Sequence, residues 1–182
     1  MSALSALLIL GFPLVFLIHE AEEMIIQRHW IKNNHERVVA KFPRTQRIMN
    51  HLTELNNVAF GIAVAEEFLI VLMTTLLLLS LLGNTAMMWI WIGVFGAFTV
   101  HTLIHIAQAV ALRSYIPGLI STILLLPYCA MMMHSIWLAY PLWGIIIAIG
   151  IGSILSAGNL LMAHKLGLFV SKTLKHANYC LL

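Results

Sequence analysis

Residues 57–82 read NVAFGIAVAEEFLIVLMTTLLLLSLL. A helix rises about 1.5 Å per residue, so about 20 mostly apolar residues cross the hydrocarbon core of a bilayer. This stretch is long enough and apolar enough to do so. Yet Glu66 and Glu67 stand side by side about ten residues into it. A membrane span with two carboxylates in its interior sets both the fold class and the chemical question. Working outward, four further stretches qualify as spans, at about 2–24, 86–112, 116–139 and 142–163. Turn chemistry separates them: Gly83-Asn84, then Ser114 to Gly118, then Tyr140-Pro141. The expected fold is an all-α polytopic membrane helix bundle, a single membrane domain over 1–182 with five transmembrane helices.

The composition agrees. Of 182 residues, 61% are hydrophobic and 9% charged, with a mean hydropathy of +0.95. A soluble domain carries about 25% charged residues. This excludes a soluble enzyme, a nucleic-acid-binding domain and a disordered chain. The first stretch lacks a basic leader segment, so it reads as a retained span rather than a signal peptide. Neither Cys129 nor Cys180 has a Cys or His at metal-ligand spacing, so no disulfide framework or zinc knuckle follows from them.

The ten basic residues read as orientation signals. Arg28, Lys32, Arg37, Lys41, Arg44 and Arg47 precede the second span, Arg113 follows the third, and Lys165, Lys172 and Lys175 follow the fifth. Five spans put all ten on one side, which the positive-inside rule makes cytoplasmic. The N-terminus is then outside and the C-terminus, with a tail over 165–182, is cytoplasmic, in an inner membrane. Trp89, Trp91, Trp137, Tyr140 and Trp143 mark the outer interface, and Trp30 and Tyr115 the inner one. Residues 28–55 mix six cations with apolar side chains and suit a helical elbow on the cytoplasmic leaflet.

The polar residues inside the spans carry the chemistry. His19, Glu22 and Glu23 stand at i, i+3 and i+4 on one helical face; His101 and His105 are an i, i+4 pair. With Glu66 and Glu67 they lie at similar depth in three spans. An ionisable group at the bilayer centre costs about 2.5–3.5 kcal/mol, so four uncompensated glutamates cost roughly 10 kcal/mol. Protonation, Glu–His pairing, water in a cavity or a bound cation can offset this. Glu and His from several helices are a ligand set suited to zinc or iron. The stripes Gly93–Ala97–His101–His105–Gln108, Ala59–Ala63–Glu67 and Ala148–Gly152–Ser156 allow close helix contact around that site. Among the other imidazoles, His51 reads as solvated, His164 as interfacial beside Lys165, and His134 as a packing residue.

The motif His19-x-x-Glu22-Glu23, followed by His105 and by Arg113-Ser114-Tyr115-Ile116-Pro117-Gly118, resembles the HXXEE family of small bacterial membrane proteins over roughly residues 8–130. That resemblance implies a membrane protein with a polar site and no established activity. It carries over His19, Glu22, Glu23 and His105.

Three functions fit. The leading one is a membrane-embedded enzyme acting on a lipid-like or small hydrophobic substrate, either a metal-dependent hydrolase or oxidase or a proton-shuttling isomerase. In it His19, Glu22, His101, His105, Glu66 and Glu67 supply the ligands to a divalent metal, zinc or iron. Glu23, Glu22 and Glu67 supply the catalytic carboxylates. The second is a proton- or cation-coupled permease using the same groups as a relay. Five spans are few for that role, and a homodimer would repair the shortage. The third is a structural subunit. No nucleic acid is expected as a partner in any of them.

Overall fold

The computed structural model describes residues 3–81 and 83–180, with side chains described for 6–81 and 83–175. The expected span limits at Ser2 and Leu82, and the Cys180 side chain, lie outside them. Helix α1 spans Ala3–Lys41, a short 3-10 turn Pro43–Thr45, α2 Gln46–Glu54, α3 Asn57–Ser80, α4 Thr85–Leu112, α5 Leu119–Ala139 and α6 Leu142–Cys180. No strand occurs among the described residues.

Four helical segments among the described residues are long and apolar enough to cross a membrane: Asn57–Ser80, Thr85–Leu112, Leu119–Ala139 and Leu142–Lys175. This corrects the expected five. The apolar half of α1 runs directly into Glu20, Glu22 and Glu23, so 18 residues counted from its first described side chain take in three carboxylates. The four apolar helices mark a multi-pass membrane protein.

Two further expectations change. The stretch 28–41 is no separate elbow; it continues α1 without a break, and only then does the chain turn into α2. The tail expected from residue 165 continues α6 in the same way. Each of these helices has 39 residues, about 58 Å of rise, roughly twice the hydrocarbon thickness.

One end of the bundle is an apolar core built on Phe12, Ile92, Phe95, Phe98, Leu78 and Ile145. Trp91, expected in the outer aromatic belt, is buried there. Its ring stacks on Phe95 at 5.2 Å, and its indole N–H donates to Thr75 Oγ1 at 3.2 Å. An indole in the core needs such a partner. Trp137 and Trp143 are exposed, as a belt position requires. Close helix contact rests on glycine at two places. A Cβ on Gly152 would run into the backbone of Gly93, and one on Gly167 into the carbonyl of Ala59. These approaches seat α6 against α4 and α3. Ala148 and Gly152 meet Gly93 as the small-residue stripes anticipate, whereas Gln108 and Ser156 are exposed and take no part.

The basic residues gather at the other end. Arg37 donates to the carbonyl of Leu112 at 2.8 Å and Lys41 to that of Ala111 at 2.7 Å. These cations satisfy orphan carbonyls at the C-terminus of α4, where the helix dipole favours positive charge. Trp30 Nε1 donates to Tyr115 O at 2.8 Å. Asn56, whose side chain caps α3, also donates to Ser171 Oγ at 2.7 Å. The lower half of α1, α2, the 113–118 loop and the lower part of α6 are thus tied together at one end. An even number of apolar helices separates 28–55 from the end of α6, so this gathering does not depend on whether α1 crosses.

Candidate metal centre

The i, i+4 spacing brings His19 and Glu23 to one face of α1, and the same spacing brings His101 and His105 to one face of α4. The two faces meet. His105 Nε2 lies 2.9 Å from Glu23 Oε1, and His105 Nε2 and His101 Nε2 are 3.0 Å apart. Glu23 Oε1 is 3.8 Å from His19 Nε2 and 3.9 Å from His101 Nε2. All four residues offer one ligand atom within 4.8 Å of one another, so the group can hold a metal ion. Four ligands at the usual 2.0–2.1 Å of a tetrahedral site lie about 3.3 Å from each other. The observed separations bracket that value.

His19, Glu23 and His105 are buried, whereas the His101 side chain is 38% exposed. The Ser121 hydroxyl orients the His19 ring: its oxygen is 3.0 Å from His19 Nδ1 and 3.1 Å from Gly118 O. With its proton on Nδ1, His19 would turn a lone pair from Nε2 into the cluster, the tautomer a ligating imidazole needs. His19 Nε2 is buried with no hydrogen-bond partner among the described residues, and so is His105 Nδ1.

The loop that closes the site is Tyr115-Ile116-Pro117-Gly118. Gly118 has φ +79°, and a Cβ there would lie 2.9 Å from Glu23 Oε1, 3.0 Å from His19 Cε1 and 3.1 Å from His105 Cε1. Only a residue without a side chain allows the backbone so near three of the four candidate ligands.

Glu22, expected among the ligands and the catalytic carboxylates, is placed outside the four-residue group. It is 100° around α1 from Glu23, and its oxygens accept from Tyr115 Oη at 2.6 Å, Ser121 N at 2.6 Å and Ile120 N at 3.2 Å. A carboxylate on the first turn of α5 satisfies orphan N–H groups and meets the positive end of the helix dipole. Burial, with the hydrogen bond to Glu22, holds the Tyr115 phenol above its ordinary pKa. Glu66 accepts from Asn159 Nδ2 of α6 at 2.9 Å, and Glu67 lies on α3; neither joins the four. Of the six expected ligands, His19, His101 and His105 come together, and Glu23, expected as a base, is the fourth member.

One carboxylate was missed altogether. Glu20 is buried at 6% exposure. The sequence held a signal: Phe12, Val15, Phe16, His19 and Glu23 are buried at helical spacing, and Glu20 stands at i+4 from Phe16 and i+8 from Phe12 on that stripe.

These features define a multi-pass membrane helix bundle with a buried His/Glu cluster between its first helix and α4. The family model described as "Protein of unknown function with HXXEE motif" matches residues 10–132, more than half of the chain. The chain belongs to the HXXEE family, whose function is unknown. No curated protein and no solved structure matches it. The motif letters now have positions: its His and second Glu face the cluster, and its first Glu anchors the loop that covers it.

Proposed function

We propose that this protein is a membrane-embedded metalloenzyme in which His19, Glu23, His101 and His105 hold a divalent ion, zinc or iron, and that its substrate is lipid-like or a small hydrophobic molecule. One observation carries the reading: three imidazole nitrogens and one carboxylate oxygen from two helices converge on a common point inside an apolar bundle. An ion bound there would add to the Glu–His pairing in offsetting the cost of gathering these groups inside an apolar bundle. The nitrogen and oxygen donors, with no thiolate among them, suit zinc or ferrous iron.

An ion held there would polarise a substrate oxygen or activate a bound water. The protein's own groups supply the rest. His101, the most exposed of the four, is the side from which a substrate reaches the site. Glu67 of α3 is the carboxylate we assign to proton transfer, since Glu23 is engaged with the imidazoles. The apolar surface surrounding the cluster, with Leu103 and Ile104 exposed beside His101 on α4, favours a substrate that arrives from the bilayer. We take the basic end of the bundle as the cytoplasmic side, which the positive-inside rule favours, and the membrane as the cytoplasmic one.

The test is the metal content of protein purified in mild detergent without chelator. Near-stoichiometric metal in the wild type, lost in Glu23→Gln and His105→Ala but kept in Glu22→Gln, is the expected result. No metal in the wild type, even after reconstitution with zinc or ferrous iron, overturns the reading and leaves a proton-shuttling site.

A further inference from the structure

A second pair of imidazoles lies outside the cluster, at the basic end of the bundle. His51 of α2 and His164 of α6 face each other, with His51 Nε2 3.3 Å from His164 Nδ1 and ring centroids 5.3 Å apart. His51 is half-buried, while His164 is 5% exposed. The other nitrogen of His164, Nε2, is buried and has no hydrogen-bond partner among the described residues. One nitrogen of His164 thus faces a residue at the rim, and its second nitrogen is buried without a partner among the described residues.

The helix register shows what lies inward. Gly167 packs against Ala59 and Asn159 donates to Glu66, so α6 and α3 run antiparallel and His164 stands between those two contacts. Five residues, about 7.5 Å of helix rise, separate His164 from the Asn159–Glu66 pair. On α1, Met24 meets Gly61, which brings Glu23 to a similar level on the other side of α3. The side chains against the His164 ring are His51 of α2 and Phe60 of α3, whose ring centroid is 6.2 Å away; Glu66 lies further along α3, and Lys165 beside it on α6 is exposed.

We propose that His51 and His164 form a proton relay joining the basic face of the bundle to its interior carboxylates. A proton from water adds to His51 Nδ1. The proton on His51 Nε2 passes to His164 Nδ1, and the proton on His164 Nε2 leaves through bridging water to Glu66 of α3, further along the bundle. Each imidazole gains one proton and loses one, so neither holds a net charge at the end of the transfer. The two rings then return to their starting tautomers, and the reverse sequence carries a proton out. An imidazole is the side chain suited to this, since it accepts on one nitrogen while donating from the other. The relay does not require an ion in the His/Glu cluster, so it stands or falls separately from the metalloenzyme reading.

The experiment follows exchange of the His164 ring N–H with water, by nitrogen-15 NMR of histidine-labelled, chelator-treated full-length protein in lipid nanodiscs. Two variants are compared with the wild type. His51→Phe fills the same space with no nitrogen. His51→Gln keeps an amide N–H that can donate to His164 Nδ1 but cannot pass a proton on. The relay predicts water exchange at His164 in the wild type, slowed at least tenfold in both variants. Exchange unchanged in His51→Gln overturns the proposal, because water then reaches His164 by another way. Slow exchange already in the wild type overturns it as well, because the pair is then only a contact between α2 and α6. Should His51→Phe fail to fold, His51→Gln decides alone.

Discussion

Gly118→Ala tests whether the 115–118 loop shapes the His/Glu cluster. The added methyl group meets two costs. The first is conformational: φ is +79° at this residue, and a left-handed conformation costs an L-residue about 1–2 kcal/mol. The second is local to the site. The new Cβ would stand 2.9 Å from Glu23 Oε1 and 3.0–3.1 Å from carbons of His19 and His105, so either the loop or the ligands must retreat by several tenths of an ångström. Gly83 separates the two costs. It has φ +91° and nothing within 4 Å of a Cβ built on it, so Gly83→Ala meets the conformational cost alone. We expect Gly83→Ala to lose about 1–2 kcal/mol of stability and Gly118→Ala at least as much. Only Gly118→Ala should also lose metal affinity. Displacing groups that support a metal site typically costs 10–100-fold in affinity, so the dissociation constant, measured by competition with a chromophoric chelator, should rise by about that factor. Wild-type affinity in Gly118→Ala would refute the argument that the loop presses on the ligands.

Other outcomes follow from the same geometry. Glu22→Gln should cost about 1–3 kcal/mol by weakening charge-assisted hydrogen bonds to the start of α5, seen as a lower thermal midpoint with metal stoichiometry unchanged. The Tyr115 phenol should ionise later than a free tyrosine in an ultraviolet titration, and this delay should shrink in Glu22→Gln. Since the folded state holds that proton more tightly than the unfolded chain, the associated stability is present below about pH 10 and is lost as pH rises through the folded value. Gly152→Leu should separate α4 from α6, because even a Cβ there collides with the Gly93 backbone; loss of the wild-type peak in detergent gel filtration would register it. Metal affinity, followed by chelator competition across pH, should fall as the pH drops into the range where the ligand imidazoles take up protons, because they must be deprotonated to bind.

Much of this arrangement could be read from residue order. Apolar runs of about 20 residues located α3, α4, α5 and the start of α6, since a bilayer leaves a chain few alternatives to a helix. Spacing at i, i+4 located both halves of the cluster, because it depends only on the period of the helix. The division of labour between Glu22 and Glu23 was not legible. Adjacent residues on a helix point 100° apart, and which one meets α4 depends on how α1 is rotated in the bundle. That rotation is set by the packing of Phe12 and Phe16 on Phe98, a tertiary fact. Trp91 was misplaced for a similar reason: an indole near a helix end suits an interface or a core, and the hydroxyl of Thr75 that favours the core belongs to another helix. His51 and His164 are 113 residues apart, so no local pattern links them.

The central claim is that His19, Glu23, His101 and His105 coordinate one ion. X-ray absorption at the zinc edge of the zinc-loaded, membrane-reconstituted protein tests it most directly. The account predicts a first shell of four nitrogen and oxygen atoms at about 2.0–2.1 Å, with imidazole scattering from three histidines that falls to two in His101→Ala. A shell of water oxygens without imidazole scattering, or zinc lost on washing, would contradict it.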